Sequence, residues 1–311
     1  GYSIITCTPD VIPPIIAYTF YKFASLLIDV LHGLDQQHHR MDYIGKSLTL
    51  QGVISLAIFC VTQLIALSLF VTLICMTAGI IFIGIVFDLP RSSRFEKLAI
   101  SISKKKTWYL LKRCFPIVVA AVACGAAPSI PRQILSALDG TTALGIYASV
   151  AAPVTIIQMG ASYIYNPLLG YFSEAYADRN MNQLASLLLK ASTGIAALGV
   201  IAAIALGLFG KPLLTLMFGN SIAPYAYLMM PVIVCSMITA YVWFLNDVLV
   251  ALRHFKGSFI GNVCAAALSI PAACAFIPQF GMNGVSFATI AAYTISAFIM
   301  LVTLLKMFRS Q

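Results

Sequence analysis

Four charged residues stand where the surrounding sequence leaves little room for charge. Lys22 and Arg132 are cations inside apolar runs, and Asp29 and Asp247 are carboxylates near the ends of two others. A charge held in hydrocarbon costs about 3 kcal/mol or more unless it faces a cavity or finds a partner. Lys22 lies about twelve residues, or roughly 18 Å, from either end of its run. Its ammonium can hold the phosphate or acidic sugars of an anionic substrate, or pair with Asp29, seven residues on along the same helical face. Arg132 lies between Pro131 and Gln133, with Pro128 one turn earlier. Two prolines should break or kink a helix and free its carbonyls. A guanidinium at such a break can grip phosphate through two donors, although an Arg that snorkels to the headgroups fits the same spacing. Asp29 and Asp247 can gate an inner opening or take up a coupling proton or sodium ion. They can equally pair with Arg40 and Arg253.

Other polar groups are weaker candidates. His32, His38, His39 and His254 fall in or near polar connectors and read as solvated, since no further ligands give them a closed metal geometry. Gln63, Gln158, Asn166, Asn246 and Asn262 lie within apolar runs, where they can line a cleft or bond between helices. Tyr163, Tyr165, Tyr241 and Trp243 can stack on sugar rings or serve as packing. Gly145, Gly160, Gly170 and Gly194 would permit close helix contact. The eight cysteines have no CxxC or Cys/His spacing and read as small buried hydrophobes. No metal site and no cofactor is implied.

The elements that carry these residues follow from composition. The 311 residues are 60% hydrophobic and 9% charged, with mean hydropathy +0.94. Soluble domains run near one quarter charged. Apolar runs of about twenty residues match the ~30 Å hydrocarbon layer, and the alternating segments of a membrane β-barrel are absent. The chain therefore reads as an all-α polytopic membrane protein. Nine helices are expected, at about 11–34, two within 47–87 divided near 62–69, then 112–138, 143–171, 184–210, 223–252, 257–278 and 284–306. The connectors are too short for a catalytic or binding domain outside the membrane. No Met opens the chain and no basic segment precedes the first apolar run, so no signal peptide is read.

The net charge of +9 does not point to nucleic acid, because the cations lie between apolar runs. Asp88–Arg113 alone carries eight of the nineteen Lys and Arg residues. With that connector in the cytoplasm, counting crossings in both directions puts sixteen of the nineteen on or near the cytoplasmic side. The exceptions are Lys22, Arg132 and Lys211. An internal repeat is also visible. Asp29-Val30-Leu31-His32-Gly33-Leu34 and Asp247-Val248-Leu249-Val250-Ala251-Leu252 share D-V-L-x-x-L, followed by Ile44-Gly45 and Ile260-Gly261. The first three helices then correspond to the last three, as in transporters built from parallel repeats. Residues 1–90 become a partial N-terminal lobe, 91–111 a cytoplasmic basic connector and 112–311 a C-terminal lobe of six helices. Three helices are expected upstream of Gly1.

At this point the residues resemble a known family. Asp35–Val53, DQQHHRMDYIGKSLTLQGV, is similar to the cytoplasmic loop of O-antigen and other polysaccharide flippases, with an R-x-D-x-I segment followed by Q-G. Phe87-Asp88-Leu89-Pro90, Leu144-Gly145-Ile146-Tyr147-Ala148, Asn166-Pro167-Leu168-Leu169 and Phe280-Gly281-Met282-Asn283-Gly284-Val285-Ser286 follow in family order. The resemblance implies the multidrug/oligosaccharidyl-lipid/polysaccharide exporter fold, a MATE-like bundle of two six-helix lobes. It also implies transport of polyprenyl-pyrophosphate-linked oligosaccharide from the cytoplasmic to the outer leaflet of a bacterial inner membrane by alternating access. The expected partners are the lipid-linked substrate, the bilayer, a coupling proton or sodium ion, and polysaccharide-assembly membrane proteins. A multidrug or organic-cation antiporter of the same fold is the alternative. A membrane sugar polymerase or acyltransferase would need a large outer loop that this chain lacks.

Overall fold

The computed structural model describes residues 12–38, 40–65, 68–93 and 103–309, and the regular structure among them is helical. It divides into two compact units, Gly1–Ile102 and Ser103–Gln311.

Unit 1 holds α1 (Ile12–Gln37), α2 (Met41–Leu64) and α3 (Leu69–Ile83). α1 opens on Pro13-Pro14, where a missing N–H costs no ladder bond. It ends on Gln37, three residues past the expected end, so Asp35 is a helical residue rather than part of a connector. The long apolar stretch divides where expected. α2 closes at Ile65, and α3 opens on Ser68, whose hydroxyl accepts the Val71 N–H at 3.4 Å. Gln63 Nε2 reaches Thr72 Oγ1 across the hairpin at 3.5 Å. Beyond α3 come a π-helical turn, Gly84–Asp88, and one α turn, Leu89–Ser92. Pro90 has no N–H to give and its ring crowds the preceding turn. The ladder widens just before it, with Leu89 N–H bonded to the Gly84 carbonyl five residues back. The α1–α3 seam is filled by Ala24, Ile28 and Ile80, with Tyr21 against them.

Unit 2 begins with one hydrogen-bonded run, Lys104–Tyr165, broken only at Gly140 (φ 85, ψ 170). We treat it as α4 (residues 104–139) and α5 (residues 141–165). This backbone conformation suits glycine and few other residues, and it realises the turn read at Asp139-Gly140. Two expectations are corrected here. α4 starts at Lys104 rather than 112, so Lys104, Lys105 and Lys106 form its first turn. Pro128 and Pro131 do not break α4, because non-helical dihedrals occur at Gly140 alone. In a membrane helix neighbouring groups and local adjustment satisfy the carbonyls a proline frees. A 3-10 turn, Asn166–Leu168, leads into α6 (Leu169–Ala177). Then come α7 (Met181–Phe218), a 3-10 stretch Asn220–Leu228, α8 (Met229–Ala251), α9 (Phe255–Phe280) and α10 (Met282–Arg309).

Eight stretches among the described residues are long and apolar enough to cross a membrane, and one of them, Cys114–Ala177, covers most of α4 together with α5 and α6. That gives nine crossings of a multi-pass membrane protein. Unit 2 has two cores. One gathers Tyr165, Phe172, Phe244, Leu249 and Tyr293 toward the ends that carry Arg179 and Arg253. The other gathers Leu135, Tyr147, Leu214, Ile233 and Ile277 toward the Gly140, Gly219 and Gly281 turns. Of the four glycines read as helix-contact positions, Gly160 and Gly194 face Leu198 and Ile164 of neighbouring helices, whereas Gly145 and Gly170 face open space. The closest backbone approach is at Gly284, where a Cβ would lie 2.5 Å from the Phe276 carbonyl oxygen.

Candidate functional site

Each unit positions one of the two buried-run cations. On α1, ten residues past Ile12 and about 15 Å along the helix axis, Lys22 extends its ammonium over the rings of Tyr18 (5.6 Å) and Tyr21 (6.0 Å). Those rings stack on each other with centroids 6.0 Å apart. A cation over aromatic faces gains electrostatic attraction without spending its N–H donors. Lys22 forms no ion pair with Asp29 or any other carboxylate among the described residues. Its hydrogen-bonding capacity toward an anion is thus intact.

Arg132 sits on α4 at the mouth of a cleft that α4, α5, α8 and α10 form inside unit 2. The cleft is walled by Tyr147, Gln158, Ser236 and Thr239 among others. Tyr147 and Ser286 share a hydrogen bond at 3.0 Å, and Gln158 Nε2 donates to Ser236 Oγ at 3.3 Å. The Arg132 guanidinium carbon is 5.9 Å from the Tyr147 ring centroid, and Arg132, like Lys22, has no carboxylate in ion-pair range among the described residues. The cleft itself is narrow, about 20 Å³, enough for roughly one water molecule. In this conformation it presents Arg132 at a polar surface and admits no sugar.

Asp247 is half-buried near the end of α8, as expected, and its partners are not Arg253. Tyr165 donates to its Oδ2 at 3.0 Å, and Asn246 Nδ2 donates to its Oδ1 at 3.0 Å. Asn246 Oδ1 in turn accepts from Ser258 (2.6 Å) and Asn262 (2.7 Å). A carboxylate on α8 is thereby tied to α5 and α9 through neutral donors only. At the far side of this network Asn262 Oδ1 is buried without a hydrogen-bond partner among the described residues. A polar network in an apolar bundle is costly where a member is left unpaired.

Asp29 is the exposed member of a different group. It lies 3.7 Å from His32 Nδ1, while Arg40 pairs instead with Asp42 through two bonds of 2.9 and 3.0 Å. His32 corrects the reading of solvated histidines: it is 6% exposed and its other ring nitrogen faces Asp88 at 3.6 Å. Asp35, Asp88 and Ser92 are buried beside it on the α1–α3 seam, and Ser92 donates to Asp35 at 3.2 Å. A signal for them was present. Ala17, Ala24, Ile28, His32 and Asp35 follow one stripe at seven-, four-, four- and three-residue intervals, the spacing of one helix face. His38 is exposed and bonds the Leu34 carbonyl at 3.0 Å. His39 lies outside the described residues. Tyr163 is exposed; Tyr165 is committed to Asp247 and Tyr241 to the ring of Phe244.

Comparison with known proteins places this geometry. A capsular polysaccharide biosynthesis protein of Staphylococcus aureus, CapF, is 22% identical over 210 residues, covering 66% of this chain and 52% of CapF. The chain thus spans about half the length of that relative. Among solved structures, a variant of the Vibrio cholerae MATE transporter VcmN superposes with TM-score 0.75 at 12% identity, covering 100% of this chain and 73% of the other. The lipid II flippase MurJ, in an inward closed conformation, gives 0.68 at 13% identity, with 91% and 60% covered. These likenesses establish the MATE-like fold. The family described as polysaccharide biosynthesis protein matches residues 10–176, more than half of the chain, and the chain belongs to that family.

Proposed function

We propose that this protein is a flippase that moves a polyprenyl-pyrophosphate-linked oligosaccharide, the repeat unit of an O-antigen or other surface polysaccharide, from the cytoplasmic to the outer leaflet of a bacterial inner membrane. Residues 1–90 and 112–311 act as lobes joined by the basic segment 91–111, and they rock in alternating access without making or breaking a covalent bond. The observation that carries this reading is one cation per unit, Lys22 and Arg132, each inside a membrane-length helix and each without a carboxylate partner among the described residues. An anionic head group supplies the missing partner, and a guanidinium suits phosphate geometry. Asp29 and Asp247 serve as gating or ion-coupling groups, with a proton or sodium ion as the coupling species.

Complementation of a flippase-deficient bacterial strain, at matched expression of the full chain, tests the assignment. Lys22→Ala and Arg132→Ala are each expected to lower surface polysaccharide by about tenfold or more, the equivalent of ~1.4 kcal/mol of lost head-group binding. Lys22→Arg is expected to keep part of the activity. Wild-type levels in both alanine variants would sink the role given to these cations.

One observation favours a second reading, a multidrug or organic-cation antiporter. Asp247 is a half-buried carboxylate held, among the described residues, by neutral donors alone, which is what a cationic substrate would seek. Efflux of an organic cation that Asp247→Asn abolishes, with no complementation by the parent chain, would select that reading.

A further inference from the structure

The α1–α3 seam carries chemistry that head-group binding leaves unused. The two ring nitrogens of His32 face two carboxylates, Asp29 at 3.7 Å from Nδ1 and Asp88 at 3.6 Å from Nε2. The acids differ in access: the Asp29 side chain is 57% exposed and that of Asp88 is 2% exposed. Among the described residues, Asp88 Oδ2 is buried and accepts no hydrogen bond, and His32 Nε2 is likewise without one. A buried carboxylate oxygen with no donor is costly, so its position needs an enforcing backbone. Asp88 closes the π turn Gly84–Asp88, and such turns recur where a helix must aim a residue off its regular register. Gly84 clamps the seam, since a Cβ there would lie 3.0 Å from Ile28 Cδ1.

We propose that Asp29, His32 and Asp88 form a proton relay that loads the buried carboxyl of Asp88, and that Asp88 is a coupling-proton site of the transporter. This rests on the flippase reading only for what the proton drives. The steps balance. Asp29 takes a proton from a hydronium ion of the bulk solvent, which leaves water, and passes it to Nδ1 of the neutral ring, whose own proton is on Nε2. The imidazolium so formed releases its Nε2 proton to Asp88, leaving Asp29 ionised and the ring neutral with its proton on Nδ1. Histidine suits the middle position because one ring nitrogen can accept a proton while the other gives one up. At 3.6–3.7 Å the ring is within ion-pair range of both acids and hydrogen-bonded to neither, the separation of a relay at rest.

Other charged groups at this end are engaged elsewhere. On α1, Asp35 accepts from Ser92. Past the π turn, the Arg91 guanidinium lies 3.4 Å from the Phe87 ring centroid and donates to the Phe87 carbonyl. At the start of α2, Arg40 pairs with Asp42 and covers the Tyr43 ring at 3.9 Å, with Lys46 one turn on. Among the described residues only Asp29 and Asp88 come within ion-pair range of His32.

Proton counting on the purified full chain in detergent, with a pH-indicator dye and a jump from about pH 8 to pH 6, tests the relay without any sugar substrate. Asp88→Asn removes the terminal proton acceptor of the relay and is expected to take most of one proton from the uptake. Asp29→Asn is expected to keep the amount and slow it by about a hundredfold. Asp29 lies outside the packing, so its variant decides the matter should Asp88→Asn fail to fold. Unchanged uptake in Asp88→Asn, or an equally fast phase in Asp29→Asn, overturns the relay. Relay behaviour without complementation by the parent chain would refute the flippase reading alone. Normal complementation with Asp88→Asn and unchanged uptake would refute the relay alone.

Discussion

At the scale of single residues, the contrast between Asp247 and Asp29 decides how far a short repeat can be trusted. Both open a D-V-L-x-x-L segment, but Asp29 lies eight residues before the end of α1 and Asp247 four before the end of α8. Asp29, one turn farther from its helix end, is nonetheless largely exposed, while Asp247 is fixed by Tyr165 and Asn246. The hydrogen bonds around Asp247 are unequal in consequence. Tyr165→Phe removes one donor and is expected to destabilise the folded protein by about 0.6 kcal/mol, the average for membrane-helix hydrogen bonds. Asn246→Ala strips three bonds and strands the Ser258 and Asn262 donors, so a loss of about 2 kcal/mol is expected. Thermal unfolding in one detergent compares them, and equal losses would show that Asn246 is not the hub. Sequence reasoning found Asp247, Asn246 and Asn262 because a polar residue in an apolar run is conspicuous. It missed His32, Asp35 and Asp88 because they border polar connectors, where the same residues are unremarkable, and only their stripe on α1 separates them from solvent.

At the scale of elements, the turns of unit 2 divide by end. The positive-φ glycines Gly140, Gly219 and Gly281 stand at one end, and the positive-φ arginines Arg179 and Arg253 at the other. Each arginine closes the same capping motif. Arg253 N–H bonds to the Val250 carbonyl and His254 N–H to that of Leu249, both at 2.9 Å, and Arg179 and Asn180 repeat the pattern on Tyr176 and Ala175. Glycine is the usual occupant of that position, and a side chain there costs about 1 kcal/mol or more. Both turns lie at the end of unit 2 that the positive-inside bias predicts to be cytoplasmic, and a charge requirement there would account for the substitution. Arg253→Gly is therefore expected to raise stability by about 1 kcal/mol, read as a higher unfolding temperature in detergent, whereas Arg253→Ala, which keeps a Cβ, gives no such gain. A fall in stability with Arg253→Gly would mean that the side chain makes contacts worth more than the backbone strain. Helix number and the hairpin at Ile65–Ser68 were legible because hydrophobic length and charge placement are coarse signals. The uninterrupted course of α4 past Pro128 and Pro131 was not, because tertiary and membrane surroundings override a local breaker.

At the scale of the whole molecule, orientation is the property the sequence states most redundantly. The cations that the positive-inside bias predicts to be cytoplasmic lie, in unit 1, beside α2 (Arg40, Lys46) and after α3 (Arg91), and, in unit 2, along the first turns of α4 (Lys104, Lys105, Lys106, Lys112), after α6 (Arg179), before α9 (Arg253, Lys256) and late in α10 (Lys306). Each cation contributes to the bias separately, so removing one cluster leaves the others to hold the topology. Neutralising Lys104, Lys105 and Lys106 together to Gln is expected to leave the nine crossings and complementation unchanged at matched expression. These three residues begin a helix at the membrane edge, away from Arg132 farther along α4 and outside unit 1, which holds Lys22. The check is a membrane-impermeant thiol reagent applied to intact cells that carry a single cysteine at Asn220→Cys or at Asp178→Cys in a background without the native cysteines. In both the parent and the neutralised chain, the first is expected to label from outside and the second only after permeabilisation. Reversal in the neutralised chain would make the basic segment the dominant anchor rather than one of several. Intact topology with lost complementation would instead bring α4's first turn into transport, and the path proposed through Lys22 and Arg132 would have to extend to the cytoplasmic face.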